Sequence, residues 1–259
     1  MLDKLSGTTA VAAAFHFGRL TVCNTGDSRA ILGHRMADDG NSEEGKDESN
    51  GGATDKGKLL ALPLTYDQTP FRKDERERVR KAGASILTVA QMEGESPVEE
   101  CEQDWDDKIA GKAVIVDGDV PRLWVPGKDY PGCAFTRSIG DSLGDTIGII
   151  AEPEVITTEL TSRDEILVLG SDGVFDFLTN QMVIDLCAEC ADPLEACEKV
   201  VKASYDQWLE NDERTDDITL IVCFLECDQE PAKNVAGTTA ELLANYDLKT
   251  MHPTHLFPQ

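Results

Sequence analysis

The chain has 259 residues, enough for one sizeable hydrophobic core but short for two generous domains. Hydrophobic residues make up 41%, near the globular norm, while 49 acidic residues against 24 basic ones give a formal charge of −25. That charge excludes nucleic acid and anionic membrane surfaces as partners, since both are held by Lys and Arg, and no apolar run approaches the roughly 18–20 residues that cross a bilayer.

In chain order, Thr9–Phe17 and Arg19–Thr25 alternate as strands and predict a hairpin with Gly18 in its turn. The motif Gly26-Asp27-Ser28-Arg29-Ala30 follows, and Arg29–Leu32 opens another strand. Residues Asp38 to Asp55 hold seven carboxylates among Gly, Ser and Asn, so a solvated loop is expected over about 36–58. Leu59–Thr65 reads as a strand that Pro63 confines to an edge or bulge. Pro70 sets up a helix through Lys81, closed by Ala82-Gly83, whose charged run predicts a solvated face of Glu/Arg pairs. Glu93 to Asp107 hold eight carboxylates and no Lys or Arg, which reads as a second solvated insertion, about 93–107. Asp104-Trp-Asp-Asp107 within it lacks the Gly turn and Glu spacing of a helix–loop–helix Ca²⁺ loop.

The second half is better signalled. Ile166–Leu169 predicts a strand that runs into Ser171-Asp172-Gly173-Val174-Phe175-Asp176. Thr179 caps a helix from Asn180 to about Glu189, and Asp192-Pro193 starts another that runs to about Asn211. Val200, Val201, Tyr205 and Leu209 recur in it at helical spacing and are expected to face the core. Asp216-Asp217-Ile218-Thr219 then opens into a strand over Ile218–Leu225. Residues 1–226 are expected to form one domain and 227–259 a tail, in which Thr238 or Thr239 could cap a short helix through Tyr246.

The eight cysteines are scattered, so no disulfide framework is expected. Cys187 and Cys190 form a Cys-x-x-Cys with no second pair at finger spacing, which reads as buried helical thiols rather than zinc or redox chemistry. None of the four histidines has a Ser, Cys or Asp nearby in sequence to suggest a triad. Met1-Leu-Asp-Lys-Leu-Ser6 lacks the charged-then-apolar layout of a signal peptide, and an intracellular, cytoplasmic or nuclear location is the expectation.

Three acidic motifs therefore stand at strand ends, around Asp27, around Asp172 and Asp176, and at Asp216-Asp217. Singly, each is an ordinary turn sequence. Together they suggest carboxylates that converge, and such a cluster repels itself unless a hard divalent cation neutralises it.

These motifs, with Ser6-Gly-Thr-Thr-Ala10, Ala134-Phe-Thr-Arg-Ser-Ile-Gly-Asp141 and Ile150-Ala-Glu-Pro-Glu-Val155, resemble the PP2C (PPM) type of metal-dependent serine/threonine phosphatases in order and spacing. The resemblance implies an α+β fold, an α-β-β-α sandwich of two antiparallel sheets flanked by helices. It implies Asp172 and Asp216 as ligands to one ion of a binuclear Mg²⁺ or Mn²⁺ pair, with Asp27 and Asp176 at a third ion and its waters. Asp217 stands where the family often has Asn. Two cations acidify a water and offset phosphoryl charge, so phosphorylated proteins are the implied substrates and no nucleophilic Cys is needed.

The family's opening Asp-Gly-His-Gly-Gly block is not in this sequence, so an N-terminally truncated domain, nearly inactive alone, is expected. A catalytically dead pseudophosphatase or docking module, and a plain cation-binding regulatory domain, are the alternatives. Arg122-Leu-Trp-Val-Pro and Ile147-Gly-Ile149 look like versions joined to kinase and cyclic-nucleotide-binding modules, neither of which this sequence contains.

Overall fold

The computed structural model describes residues 4–36, 57–96, 111 and 119–227. Most of both acidic insertions, and the whole of 228–259 with its expected helix, lie outside the described residues. Among the described residues no helix is long and apolar enough to cross a membrane.

Two antiparallel sheets form the frame. Strands β1 (Gly7–Thr8), β2 (Ala10–His16), β3 (Arg19–Thr25), β4 (Arg29–Arg35) and β5 (Leu59–Pro63) come from the first part of the chain. β6 (Ser85–Leu87), β7 (Arg122–Trp124), β8 (Pro131–Cys133) and β9 (Ile139–Gly140) follow, then β10 (Glu154–Glu159), β11 (Asp164–Gly170) and β12 (Leu220–Phe224). One sheet has the order β10-β3-β2 and the other β12-β11-β4-β5. The predicted hairpin is present, with β2 running from Ala10↔Thr25 to His16↔Arg19. Its turn is Phe17-Gly18, both at positive φ, the two-residue geometry whose twist matches the strands. Pro63 falls on edge strand β5, where its missing N–H costs no ladder bond.

Side-chain alternation sorts the core into layers. On β4, Ala30 and Leu32 face the other sheet while Ile31 faces helices. On β11, Leu167 and Leu169 do the former, Ile166 and Val168 the latter. The cluster between the sheets is completed by Leu20 and Val22 of β3, with Leu62, Leu64 and Leu160. The outer cluster receives α3 (Asp172–Phe175), α4 (Asn180–Ala188) and α5 (Pro193–Asn211) through Val174, Phe175, Val183, Ile184, Ala196 and Val200. These are the sandwich and helix layer that the alternating strands and capped helices foreshadow.

Thr179 accepts from the Met182 N–H and Asp192 from the N–H groups of Leu194 and Glu195, so both caps act where the sequence puts them. The orientation of α5 is a correction. Val200 is buried, but Val201, Tyr205 and Leu209 are exposed by 37%, 48% and 53%. The helix packs through Ala196, Val200, Ser204 and Trp208, spaced four apart, because Ser204 and Trp208 donate to the carbonyls of Val174 and Gly173 at 3.3 and 2.7 Å. Two polar anchors thus chose between competing apolar stripes.

α1 (Lys73–Ala82), which the short α2 (Val89–Glu93) follows after β6, brings a second correction. It ends at Gly83 in the left-handed conformation as expected, but its charged run is not all solvated, for Glu75 and Arg76 are buried. Glu75 accepts from Arg137 at 2.8 and 3.0 Å, from Arg78 at 2.7 and 3.2 Å, and from the Thr136 hydroxyl at 2.6 Å. Arg78 also donates to the Gly148 and Thr136 carbonyls, and Arg72 pairs with Asp74 and Glu154. Val79 meanwhile packs with Ile86, Leu123, Ile147 and Ile149, a third small core that carries the sheet β6-β7-β8.

Burial alone would raise the Glu75 carboxyl, but its arginine partners overcome this and hold it well below the usual carboxylate range. The stabilisation is therefore complete above the unfolded value near 4.3 and is lost as pH falls below it toward the depressed folded value. Glu75→Gln is expected to cost about 3 kcal/mol at pH 7, since it removes the buried negative charge that two half-buried arginines share. Thermal unfolding from pH 7 to pH 2 should show a melting temperature lower by roughly 6–15 °C at neutral pH and a shallower acid limb than wild type.

Candidate active site

The three acidic motifs meet where the strand ends of the two sheets come together. The first lies between β3 and β4. Gly26 there has φ +104°, and a Cβ on it would stand 2.3 Å from Thr9 Cγ2, so the backbone turns beside β2 only because the residue is Gly. The Gln68 side chain clamps the turn, accepting from the Gly26 N–H at 2.7 Å and donating to the Asn24 carbonyl at 3.2 Å. Thr9 and Ser28 share a hydroxyl hydrogen bond at 2.8 Å, which ties the Gly-Thr-Thr-Ala segment to Gly-Asp-Ser-Arg.

Next to Asp27, Arg29 is fully buried and holds three elements together. It binds Asp67 bidentately at 2.9 and 2.5 Å, donates to Asn180 Oδ1 at 2.9 Å, and stacks 4.7 Å from the Phe175 ring centroid. Asp67 and Asn180 belong to the loop after β5 and the first turn of α4, so Arg29 fixes both against the start of β4.

The second and third motifs are stitched side by side. Ser171 N donates to the Thr219 carbonyl at 3.0 Å, its hydroxyl to the Asp217 carbonyl at 2.9 Å, and Thr219 N returns a bond to that hydroxyl at 3.1 Å. A Cβ on Gly173 would stand 2.4 Å from the Asp217 carbonyl oxygen. Ser before Asp172 and Gly after it are therefore what let the two acidic segments run in contact.

The electrostatics show which predicted residues are brought together. Burial pushes the Asp172 carboxyl up to about 6, with further upward pushes from Asp176 and Asp216. Asp27 is raised well above the ordinary value by burial, then by Asp172, Asp67 and Asp176. Asp27, Asp172 and Asp176 are half-buried, whereas Asp216 is exposed and accepts from the Asp217 N–H at 2.6 Å. All four predicted residues thus share one field, and Asp67 joins them. Sequence reading missed Asp67, whose only signal was its place after a strand in Leu64-Thr-Tyr-Asp67.

The donors are hard carboxylate oxygens that repel one another, which suits Mg²⁺ or Mn²⁺. Among the described residues, however, no three His, Cys, Asp or Glu side chains stand close enough for a ready-made shell. The remaining motif residues are structural. Arg137 serves Glu75, and Ser138 donates to Asp141 at 2.6 Å.

Other candidates fall away from this place. His34 contacts Asp164 at 2.7 Å, a buried pair at the opposite end of β11 from Asp172. Cys187 is buried, with its thiol pushed up to about 12 by burial and then by Cys190 and Cys197, which makes it unreactive. Cys190 differs from expectation in lying just beyond α4 and half-buried.

Comparison with known proteins bears on this arrangement directly. The family model described as Protein phosphatase 2C matches residues 1–212. "Probable protein phosphatase 2C 35" of Arabidopsis thaliana is 42% identical over 220 residues, covering 85% of this chain and 56% of that protein. "Probable protein phosphatase 2C 75" of Oryza sativa subsp. japonica is 32% identical, covering 85% of this chain and 41% of that protein. The chain spans about half the length of the curated relatives it matches.

Two solved structures share the fold. Serine-threonine phosphatase 2C from Toxoplasma gondii superposes with TM-score 0.58 at 17% identity, over 84% of this chain and 58% of that one. A C. elegans sex determining protein gives 0.54 at 18%, over 85% and 41%. With its acidic motifs at the strand ends of a two-sheet sandwich and a family match across most of its length, the chain belongs to the protein phosphatase 2C family.

Proposed function

We propose that this chain carries part of the metal site of a phosphoserine/phosphothreonine protein phosphatase. The observation that carries the reading is the shared field of Asp27, Asp67, Asp172, Asp176 and Asp216, five acidic side chains with mutual upward pushes on Asp27 and Asp172. Asp172 and Asp216 are the residues to hold one Mg²⁺ or Mn²⁺, and Asp27 and Asp176 to hold a further ion through direct or water contacts. Bound there, the ions supply a water acidic enough to attack near neutral pH and positive charge against the phosphoryl oxygens.

The chain's own residues do the positioning. Arg29 holds the frame under Asp27, and the Ser171–Thr219 ladder holds Asp172 beside Asp216. The site is acidic throughout, so with no cation it would repel a phosphorylated side chain. The domain is taken to run over 1–226, followed by the tail.

Without cation, Asp172→Asn removes one charge from a self-repelling group and is expected to raise the melting temperature, by about 2–5 °C for roughly 1–2 kcal/mol after solvent screening. With millimolar Mn²⁺ the order reverses. Wild type gains stability on binding while the variant gains little, because a carboxylate ligand has become neutral. In a complete domain that also carries the family's opening block, hydrolysis of a phosphothreonine peptide should require Mn²⁺ and fall about 100-fold or more in the variant, while residues 1–259 alone should show little turnover. Hydrolysis by that complete domain that survives EDTA would sink the reading, and Mn²⁺ binding by it without any turnover would favour the docking alternative.

Gly173→Ala tests the geometry separately from the charge. The added methyl drives Asp172 and the Asp217 carbonyl apart, and should weaken Mn²⁺ binding measured by calorimetry about as much as Asp172→Asn does. Unlike Asp172→Asn, it leaves every charge in place, so it should not raise the stability of the metal-free protein. Unaltered Mn²⁺ affinity would show that the contact does not set the site.

A further inference from the structure

The two sheets differ in width. Three strands, β10-β3-β2, lie over four, β12-β11-β4-β5, and β2 runs across β11. Among the described residues no strand therefore covers the inner face of β12. On that face Ile221 and Cys223 stand opposite Leu169 and Leu167 of the inter-sheet core, with Leu225 next in line. Ile221 is nevertheless 56% exposed. Facing the same core from β2 are Val11, Ala13 and Phe15, and Phe15 is 52% exposed. Two apolar rows thus run out to solvent side by side, a strand spacing of about 4.8 Å beyond the last strand of the smaller sheet.

The backbone of β2 is open on the same side. The two-residue turn at Phe17-Gly18 makes His16 and Arg19 a hydrogen-bonded pair, so Ala14, Ala12 and Ala10 bond β3 in the alternation of an antiparallel ladder. The N–H and C=O groups of Val11, Ala13 and Phe15 point the other way, to an edge on which no described strand lies. Sheet edges are normally blunted by charge, by Pro or by a bulge. The β2 sequence Ala-Val-Ala-Ala-Ala-Phe-His has neither Pro nor Asp, Glu, Lys or Arg, and its register with β3 is unbroken. The other edges differ, since β5 carries Pro63 and β10 carries Glu154 and Glu159.

We infer that the gap beside β2 and over β12 is a docking site for one extended strand of another polypeptide, apolar at alternate residues and basic at its C-terminal end. The inference does not rest on the proposed function.

The direction, the pattern and the charge of that strand each follow from the gap. Its neighbours in this sheet are all antiparallel, and the same pairing carries the added strand from Phe15 toward Val11. Every second side chain then turns inward onto Ile221, Cys223 and Leu225, which calls for apolar residues at those positions. Past Val11 the strand arrives beside Asp216 and Asp217, both exposed at the entry to β12 in a chain of net charge −25. Lys or Arg is favoured at that end and Asp or Glu repelled. A second copy does not fit. Joining β2 to β2 about a two-fold axis would lay the second copy's β12 beneath β2, where β11 already runs.

The probe is an acetylated and amidated peptide of alternating Val and Thr that ends in two lysines. It is titrated into the full 259-residue chain and followed by calorimetry and by NMR-detected hydrogen exchange. At saturation the amides of Val11, Ala13 and Phe15 should exchange at least about 10-fold slower, while those of Ala12 and Ala14, already in the ladder, change little. Ala13→Pro removes an outward N–H, which an edge strand tolerates, and should weaken the peptide at least about 10-fold. Ile221→Asp changes a side chain that is already exposed and should weaken it as much, so it decides the matter even if Ala13→Pro unfolds. Moving the lysines to the N-terminus, or replacing them with glutamates, should also weaken binding. Failure of those three amides to slow at millimolar peptide would overturn the inference. So would equal binding of a scrambled peptide, or binding indifferent to Ile221→Asp. Protection of the three amides without peptide would overturn it too. If that protection grows with protein concentration it reports a second copy, and if not, an edge filled by the chain itself. None of these readings involves Mn²⁺ or turnover, so the outcome is independent of the phosphatase reading.

Discussion

A single buried guanidinium holds the rest in place. Arg29 takes its charge out of water at the start of β4, and its two-bond pair with Asp67 is what makes that tolerable. Its third donor reaches the first turn of α4 and its flat face lies against Phe175 of α3. One side chain therefore connects the inner sheet, the loop after β5 and the helix layer, immediately beside Asp27. Lysine would keep the charge but lose both the fork and the stacking, so the residue type matters as much as the charge.

Around that fixed point the fold accumulates negative charge. Desolvation and repulsion both act against Asp27 and Asp172, so the metal-free cluster is a region of stored unfavourable energy. It persists because the two-sheet core and the Ser171–Thr219 ladder fix the backbone independently of it. This separation of frame from site lets carboxylates be placed for chemistry rather than for stability.

Much of this was legible in the sequence, for reasons that differ by element. The Asp192-Pro193 start and Thr179 cap are local hydrogen-bond chemistry, so they fix helix ends without reference to the rest of the chain. β4 and β11 read correctly as strands because their apolar runs are buried on both faces. The face of α5 was not legible, since two apolar stripes compete and the choice lies with Ser204 and Trp208, residues that polarity alone would not nominate. Nor was the burial of Glu75, because two of its three partners, Thr136 and Arg137, are about sixty residues away. Asp67 was hidden for the same reason. Its importance comes from Arg29, which the loop's own sequence does not announce. Pattern reading finds what neighbours decide, and distant charge pairs fall outside it.

The knot at Glu75 also constrains how this sequence can change. Arg78, Thr136 and Arg137 all point donors at one carboxylate that is almost fully buried. Replacing any one of them first leaves a charge or a lone pair without compensation, so substitutions that would be harmless as a set are each harmful when made singly. The route from this arrangement to an apolar one of equal stability passes through poorer intermediates. Such a knot is easier to inherit than to exchange, and the loops it binds must drift together or not at all.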